Sequence, residues 1–173
     1  QNAYYHLAES YLKLEQKQQA LNAFKNASEM DFSPQIQEDA WLNYAKLSYE
    51  IGNSYTSVPQ VLRSFLEAYP DNPNNEALKD LLIDSYITSK NYKAALELLE
   101  NNKSFSNKKA FQKVAFFRGL ELYSEGNYAD AVALFNKSLK EPYDPIFTAR
   151  ATYWKAESDY QASNFDNSLI GYK

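Results

Sequence analysis

The chain has 173 residues, enough for one ordinary domain with a sizeable core, and its 15 Tyr and 10 Phe against 4 Gly and 6 Pro favour helices over a turn-dense β architecture. A net charge of −4 with acids and bases interleaved leaves no basic footprint for nucleic acid. No apolar run approaches the roughly 18 residues of a membrane span, and the absence of cysteine excludes disulfides and thiolate metal sites.

Taken in order, the chain repeats itself. A small residue on a first helix recurs at Ala8, Ala45, Gly119 and Ala156, with a weaker copy centred on Ile83, at spacings of 37, 38, 36 and 37 residues. In the first unit Tyr4, Leu7, Ala8 and Tyr11 share a helical face, and Ala20, Phe24 and Ala27 do so on a second helix. Asp31-Phe32-Ser33-Pro34 closes that unit. The second has Trp41, Tyr44, Ala45 and Leu47 before Gly52, then a turn one residue longer, with Ser57 as N-cap and a helix from about Val58 that buries Val61, Leu62 and Phe65. Tyr69-Pro70-Asp71-Asn72-Pro73 forms a corner into the third unit, where Leu82, Ile83 and Tyr86 face Ala95 and Leu99.

The polar stretch from Asn101 to Lys109 reads as a solvated loop. The fourth unit is the clearest: a helix through Gly119 and Leu122 to Ser124, a stop at Gly126, and a second helix carrying Ala131 and Phe135. It ends at Pro142-Tyr143-Asp144-Pro145. The fifth has Tyr153, Trp154, Ala156 and Tyr160, a turn at Ser163, and about two turns of a second helix ending at Lys173. Because the first residues are already helical in pattern and the last helix is short, the chain reads as a fragment of a longer array. Its C-terminal apolar face, Leu169, Ile170 and Tyr172, is expected to support self-association.

These residues resemble the tetratricopeptide repeat, a helix-turn-helix unit of about 34 residues. Its pattern matches Tyr4, Leu7, Ala8, Tyr11, Ala20, Phe24 and Ala27 in the first unit and Gly119, Gly126, Ala131 and Phe135 in the fourth. The fifth unit matches less closely, the third departs furthest, and the second slips by one after Gly52. The resemblance implies an all-α solenoid of antiparallel helix pairs wound as a right-handed superhelix, a single array over 1–173 with repeats at 1–36, 37–73, 74–109, 110–145 and a truncated 146–173. The Tyr-Pro-Asp-Asn-Pro and Tyr-Asp-Pro corners are similar to the bacterial envelope branch of that family, its outer-membrane assembly lipoproteins and periplasmic cell-division coordinator. That similarity implies a periplasmic or outer-membrane-associated location.

Such repeats line a concave groove with their first helices, at positions 2, 5, 9 and 12. Here those positions supply Tyr5, Leu42, Lys46, Tyr49, Asp84, Phe116, Leu120, Tyr123, Tyr153, Glu157 and Tyr160, an aromatic groove suited to a peptide or partner helix. Any one ring could instead pack between repeats. The alternating charges of Glu9, Lys46, Asp84 and Glu157 suggest inter-repeat ion pairs.

His6, the only histidine, reads as a surface residue without a metal-ligand partner. No paired carboxylates, phosphate loop or nucleophile motif points to an enzyme, a cofactor or a metal. The family's clamp for a C-terminal carboxylate is not carried over, since Tyr5, Glu9, Ala77 and Leu81 stand where its Lys, Asn and Arg would be. The sequence thus predicts a non-enzymatic scaffold for a protein or peptide partner, with a glycan-binding module or a passive spacer as alternatives.

Overall fold

The structure, a computed structural model, describes residues 1–101 and 107–172. Among these residues it is helical throughout, in five successive pairs. The first two pairs are α1 (Asn2–Lys13) with α2 (Lys17–Ser28) and α3 (Pro34–Ile51) with α4 (Val58–Ala68). The third is α5 (Asn75–Thr88) with α6 (Tyr92–Asn101), and the last two are α7 (Lys108–Ser124) with α8 (Tyr128–Lys140) and α9 (Pro145–Gln161) with α10 (Phe165–Gly171). The chain divides into two compact units, Gln1–Ser85 and Tyr86–Lys173, each with its own core. The expected loop between α6 and α7 falls largely on residues 102–106, outside those described. α7 itself begins at Lys108, where the Asn107 side chain accepts from the Ala110 amide as an N-cap.

In four of the five pairs the first helix presents a residue with almost no side chain to its partner, the third having Ile83 there. Ala8, Ala45, Gly119 and Ala156 are all buried. In the fourth pair the approach is closest: a Cβ built on Gly119 would lie 2.7 Å from the Phe135 ring. That ring is fully buried in a cluster with Phe116, Leu122, Ala131 and Ala151, and each large side chain there contributes about 1.5–3 kcal/mol by leaving water. Gly171 makes a similar approach in the last pair, where a Cβ would lie 2.6 Å from Cβ of Ala156.

The turns within the pairs follow one rule with one exception. Gly126 has φ 80°, and Glu15, Lys90 and Ser163 take the same left-handed conformation at φ 61°, 58° and 62°. Each closes its helix identically, for example with Gly126 N–H donating to Tyr123 O at 3.0 Å and Asn127 N–H to Leu122 O at 2.9 Å. A Cβ in that conformation costs roughly 1 kcal/mol, which only Gly126 avoids. The second pair differs. After Gly52 at φ 81° the longer turn is held by Asn53, which donates to the Tyr44 hydroxyl at 2.7 Å and Ser48 Oγ at 2.8 Å and accepts from the Tyr55 and Thr56 amides.

The described corners between pairs are held by a polar side chain near the start of the preceding first helix. Gln112, wholly buried, accepts from the Tyr143 and Asp144 amides at 3.2 and 2.8 Å and donates to Thr148 Oγ1 at 3.0 Å. Gln1 holds the same register in the first pair, donating to Met30 O at 2.6 Å and accepting from Ser33 N–H at 2.7 Å. At the second corner Glu38 accepts from Asn72 Nδ2 at 2.7 Å. Pro34 and Pro145, read as ending units, open α3 and α9 at a position where the missing N–H is not needed. Ser57 occupies the N-cap of α4, but its side chain makes no capping bond.

Gly119→Leu forces methylenes into the tightest helix contact and is expected to cost 1–3 kcal/mol or more, about. Lys108→Ala removes a pair with Glu141 at 2.8 Å whose partners are both largely exposed, and should stay within about 0.5 kcal/mol of neutral. Thermal melts that rank the two the other way would show that the fourth pair is packed differently. A second expectation concerns the turns: Glu15→Gly, Lys90→Gly and Ser163→Gly should each stabilise by roughly 1 kcal/mol in urea unfolding, and additively because they lie in different turns. No gain at all three would mean that the left-handed backbone there carries no strain.

Candidate functional site

The first-helix positions expected to line a groove separate into two surfaces, one in each unit. In the N-terminal unit they are tied to one another across repeats. The Tyr5 hydroxyl donates to Asp39, and Tyr49 donates to Asp84 Oδ2 at 2.6 Å. Tyr5 also packs edge-on against Phe24, with ring centroids 5.7 Å apart. Lys46 is exposed and reaches Asn74 Oδ1 at 3.1 Å. Leu42 does not face outward: it is 7% exposed and belongs to the core.

The ion pairs expected between ninth positions are not what joins the repeats. Glu9 bonds to His6 in its own helix at 2.9 Å, which leaves His6 at the surface, and Lys46 chooses an amide. Inter-repeat pairs occur instead between helix flanks, at Lys17 with Glu50 and Lys137 with Glu100. A tyrosine reaching a carboxylate 34 or 35 residues away does on the first helices what opposite charges were expected to do.

The C-terminal unit is built differently. Phe116 is 0% exposed and forms the centre of the core, so it is not a surface residue. Its ring stacks edge-on with Phe117 and Phe147, and the Arg150 guanidinium lies 4.8 Å from its centroid. The helical register that makes position 5 groove-facing is satisfied, but α9 closes over it. Leu120 and Tyr123 are half-buried against the same cluster. What remains open lies along α9, where Tyr153, Glu157 and Tyr160 fall on one stripe at spacings of four and three residues. Tyr153 is 51% and Tyr160 53% exposed.

Two neighbours of that stripe were not among the groove residues expected from the sequence. Trp154 bridges Tyr123 and Tyr153, with centroids 5.0 and 5.5 Å away, and Tyr172 on the chain after α10 meets Tyr153 at 6.2 Å. The Tyr172 hydroxyl donates to Glu157 Oε2 at 2.6 Å. Ring spacing alone carried the signal for Trp154, one residue from Tyr153. Nothing in the sequence placed Tyr172 against Glu157. The expected C-terminal apolar face is present as well, with Leu169 and Ile170 on α10 exposed.

Electrostatics mark the same tyrosines. Burial, reinforced by the bond to Asp39 and its charge, pushes the Tyr5 hydroxyl well up. The Asp84 bond and then burial push Tyr49 up, and the Glu157 bond pushes Tyr172 up to about 12. Among the described residues there is no cluster of three or more His, Asp or Glu side chains that could hold a metal ion, and no helix long and apolar enough to cross a membrane.

The tetratricopeptide repeat family matches residues 5–73, which span most of the first two helix pairs. Among solved structures, MamA from AMB-1 is similar at 19% identity and a TM-score of 0.54, covering 98% of this chain and 86% of that one. A single-site mutant of MamA has 21% identity and a TM-score of 0.51, covering 98% and 92%. An RS-1 MamA double mutant has 12% identity and a TM-score of 0.52, covering 99% and 89%. No curated protein matches the chain. At such identities the likeness speaks for the fold, a tetratricopeptide-like α-solenoid.

A tyrosine whose proton is held more tightly in the folded chain stabilises fully below the ordinary tyrosine value near 10 and loses that contribution as pH rises toward its folded value. Tyr5→Phe and Tyr49→Phe should each cost about 1–2 kcal/mol at pH 7, the range for a bond to a charged group in a half-exposed setting. Both should also flatten the decline in stability above about pH 10. Urea unfolding at pH 7 and pH 11 measures this. A double variant with the parent's alkaline decline would show that these two hydroxyls do not cause it.

Proposed function

We propose that the chain is a non-enzymatic scaffold that holds a peptide or helix of a partner protein on the aromatic stripe of α9, in a bacterial cell envelope. The observation that carries this reading is the exposure of Tyr153 and Tyr160 on a helix whose other side is packed into the core. Rings held by a neighbour, Tyr153 by Trp154 and Tyr160 by Phe165, offer large contact area with little side-chain entropy left to lose. The match of residues 5–73 to the tetratricopeptide repeat supports the same class of role, since stacked helix pairs present such surfaces on fixed supports. The envelope location rests on the proline-containing corners at Tyr69–Pro73 and Tyr143–Pro145.

The test is a display selection of random peptides on the whole chain, run beside a carbohydrate array. Selected peptides should lose about tenfold or more in affinity to Tyr153→Ala combined with Tyr160→Ala, a change of the size seen when interface rings are truncated. Helicity should remain, because both rings are half out of the core. Tyr123 is left untouched since its ring packs against Trp154 and the buried cluster. Sugars that bind through the same two residues, with no peptide selected, would replace the scaffold reading by glycan recognition. Peptides indifferent to both rings would remove the stripe from the argument.

A further inference from the structure

Glu157 lacks the cation that its helix neighbour Asp159 finds in Lys155 at 3.0 Å, and is met by a tyrosine hydroxyl instead, as Asp39 is. Among the described residues no lysine or arginine pairs with Glu157, which is held only by neutral donors: the Tyr172 hydroxyl at 2.6 Å and Gln161 Nε2 at 3.5 Å. It is half-buried in the middle of the α9 stripe. The rings of Tyr128, Tyr123, Trp154, Tyr153 and Tyr172 follow one another beside it, with centroids 5.4, 5.0, 5.5 and 6.2 Å apart.

The geometry points to a site for a cation: we propose that Glu157, with Tyr153, Trp154, Tyr123 and Tyr172, receives an arginine or lysine side chain of a basic partner peptide. This rests on the peptide-scaffold reading and names the chemistry of its partner. Three observations carry it. First, a carboxylate without a cation partner, on a surface lined with aromatic rings, offers a positive side chain both ion pairing and the negative face of a ring. Second, the carboxylate acts on its neighbours: its bond raises the Tyr172 hydroxyl, and its charge adds to burial in raising that of Tyr123. Third, the rings meet edge to face, at 62°, 66°, 81° and 62°, and so form walls rather than the flat platform on which a sugar would stack. The chain's net charge of −4 further favours a basic partner by steering its approach.

The chain holds two tryptophans, Trp154 in this site and Trp41 in the other unit, so their indole N–H signals serve as probe and control. The ¹⁵N-labelled protein is titrated at low salt with a blocked Gly-Arg-Gly-Arg-Gly peptide and with its citrulline counterpart, which keeps the shape and loses the charge. The arginine peptide should shift the Trp154 signal saturably and leave Trp41 in place. Its affinity should fall about tenfold with Glu157→Gln or with citrulline, and weaken as salt rises. Because glutamine still accepts the Tyr172 bond, Glu157→Gln should fold normally, and a thermal melt confirms it. Equal binding of the arginine and citrulline peptides, or no loss with Glu157→Gln, overturns the cation site while leaving a peptide stripe intact. No Trp154 shift with either peptide overturns it too, and the scaffold reading is then judged separately by the selected peptides. A chito-oligosaccharide that shifts Trp154 where the arginine peptide does not would overturn both.

Discussion

Two helices can approach closely only where one of them has almost no side chain at the crossing. Every pair that fits the repeat well obeys this at the eighth position of its first helix, with Ala8, Ala45, Gly119 or Ala156 buried there. The fourth pair takes it furthest, with the Phe135 ring laid close on the bare backbone of Gly119. Once that contact sets the distance, the aromatic side chains around it have fixed places. Phe116 fills the centre, Phe147 and Ala151 of the next helix close over it, and the other side of α9 is left for Tyr153 and Tyr160. The open stripe is thus a by-product of how tightly the core beneath it is drawn together.

Tight pairs still need to be set against one another, and here polar side chains govern. A buried backbone amide at a corner must find a partner or cost about 1–3 kcal/mol. Gln1 and Gln112 meet that demand from the same place in their repeats, one accepting from Ser33 and the other from Tyr143 and Asp144. Their recurrence in one register is visible in the sequence, yet a glutamine at the start of a helix carries no hydrophobic periodicity. An expectation built on apolar spacing therefore passes over it.

The fold was legible because small residues, helix stops and bulky partners recur together, so that each match constrains the next. Glu15, Lys90 and Ser163 hold the left-handed backbone at the place Gly126 holds it, against the preference of those residues. The surface was less legible. The repeat pattern alone expects position 5 to line a groove, but whether its side chain stays outside depends on what the following repeat lays over it. Leu42 and Phe116 are covered, whereas Tyr153 is not. That outcome is decided by residues more than thirty positions away, which periodicity within one helix does not report. The Tyr5–Asp39 and Tyr49–Asp84 ties escaped for a related reason: charge patterns along one position invite ion pairing, while a neutral tyrosine three residues off competes for the same carboxylate.

The turn geometry also bears on the order in which the chain gains structure. Contacts here are local, the longest of the bonds described joining Lys137 to a residue 37 positions earlier, and such topologies order quickly. In a linear array, folding can begin at any repeat and spread to its neighbours. Three of the other helix reversals must carry a side chain through a left-handed conformation, and the remaining one needs Asn53 to organise a longer path. The reversal at Gly126 needs neither, and it joins the two helices with the closest contact. The pairing of α7 and α8 thus meets the least backbone strain at its turn, and α9, tied to it at the Gln112 corner, sets the surface of Glu157 on that tightly packed support.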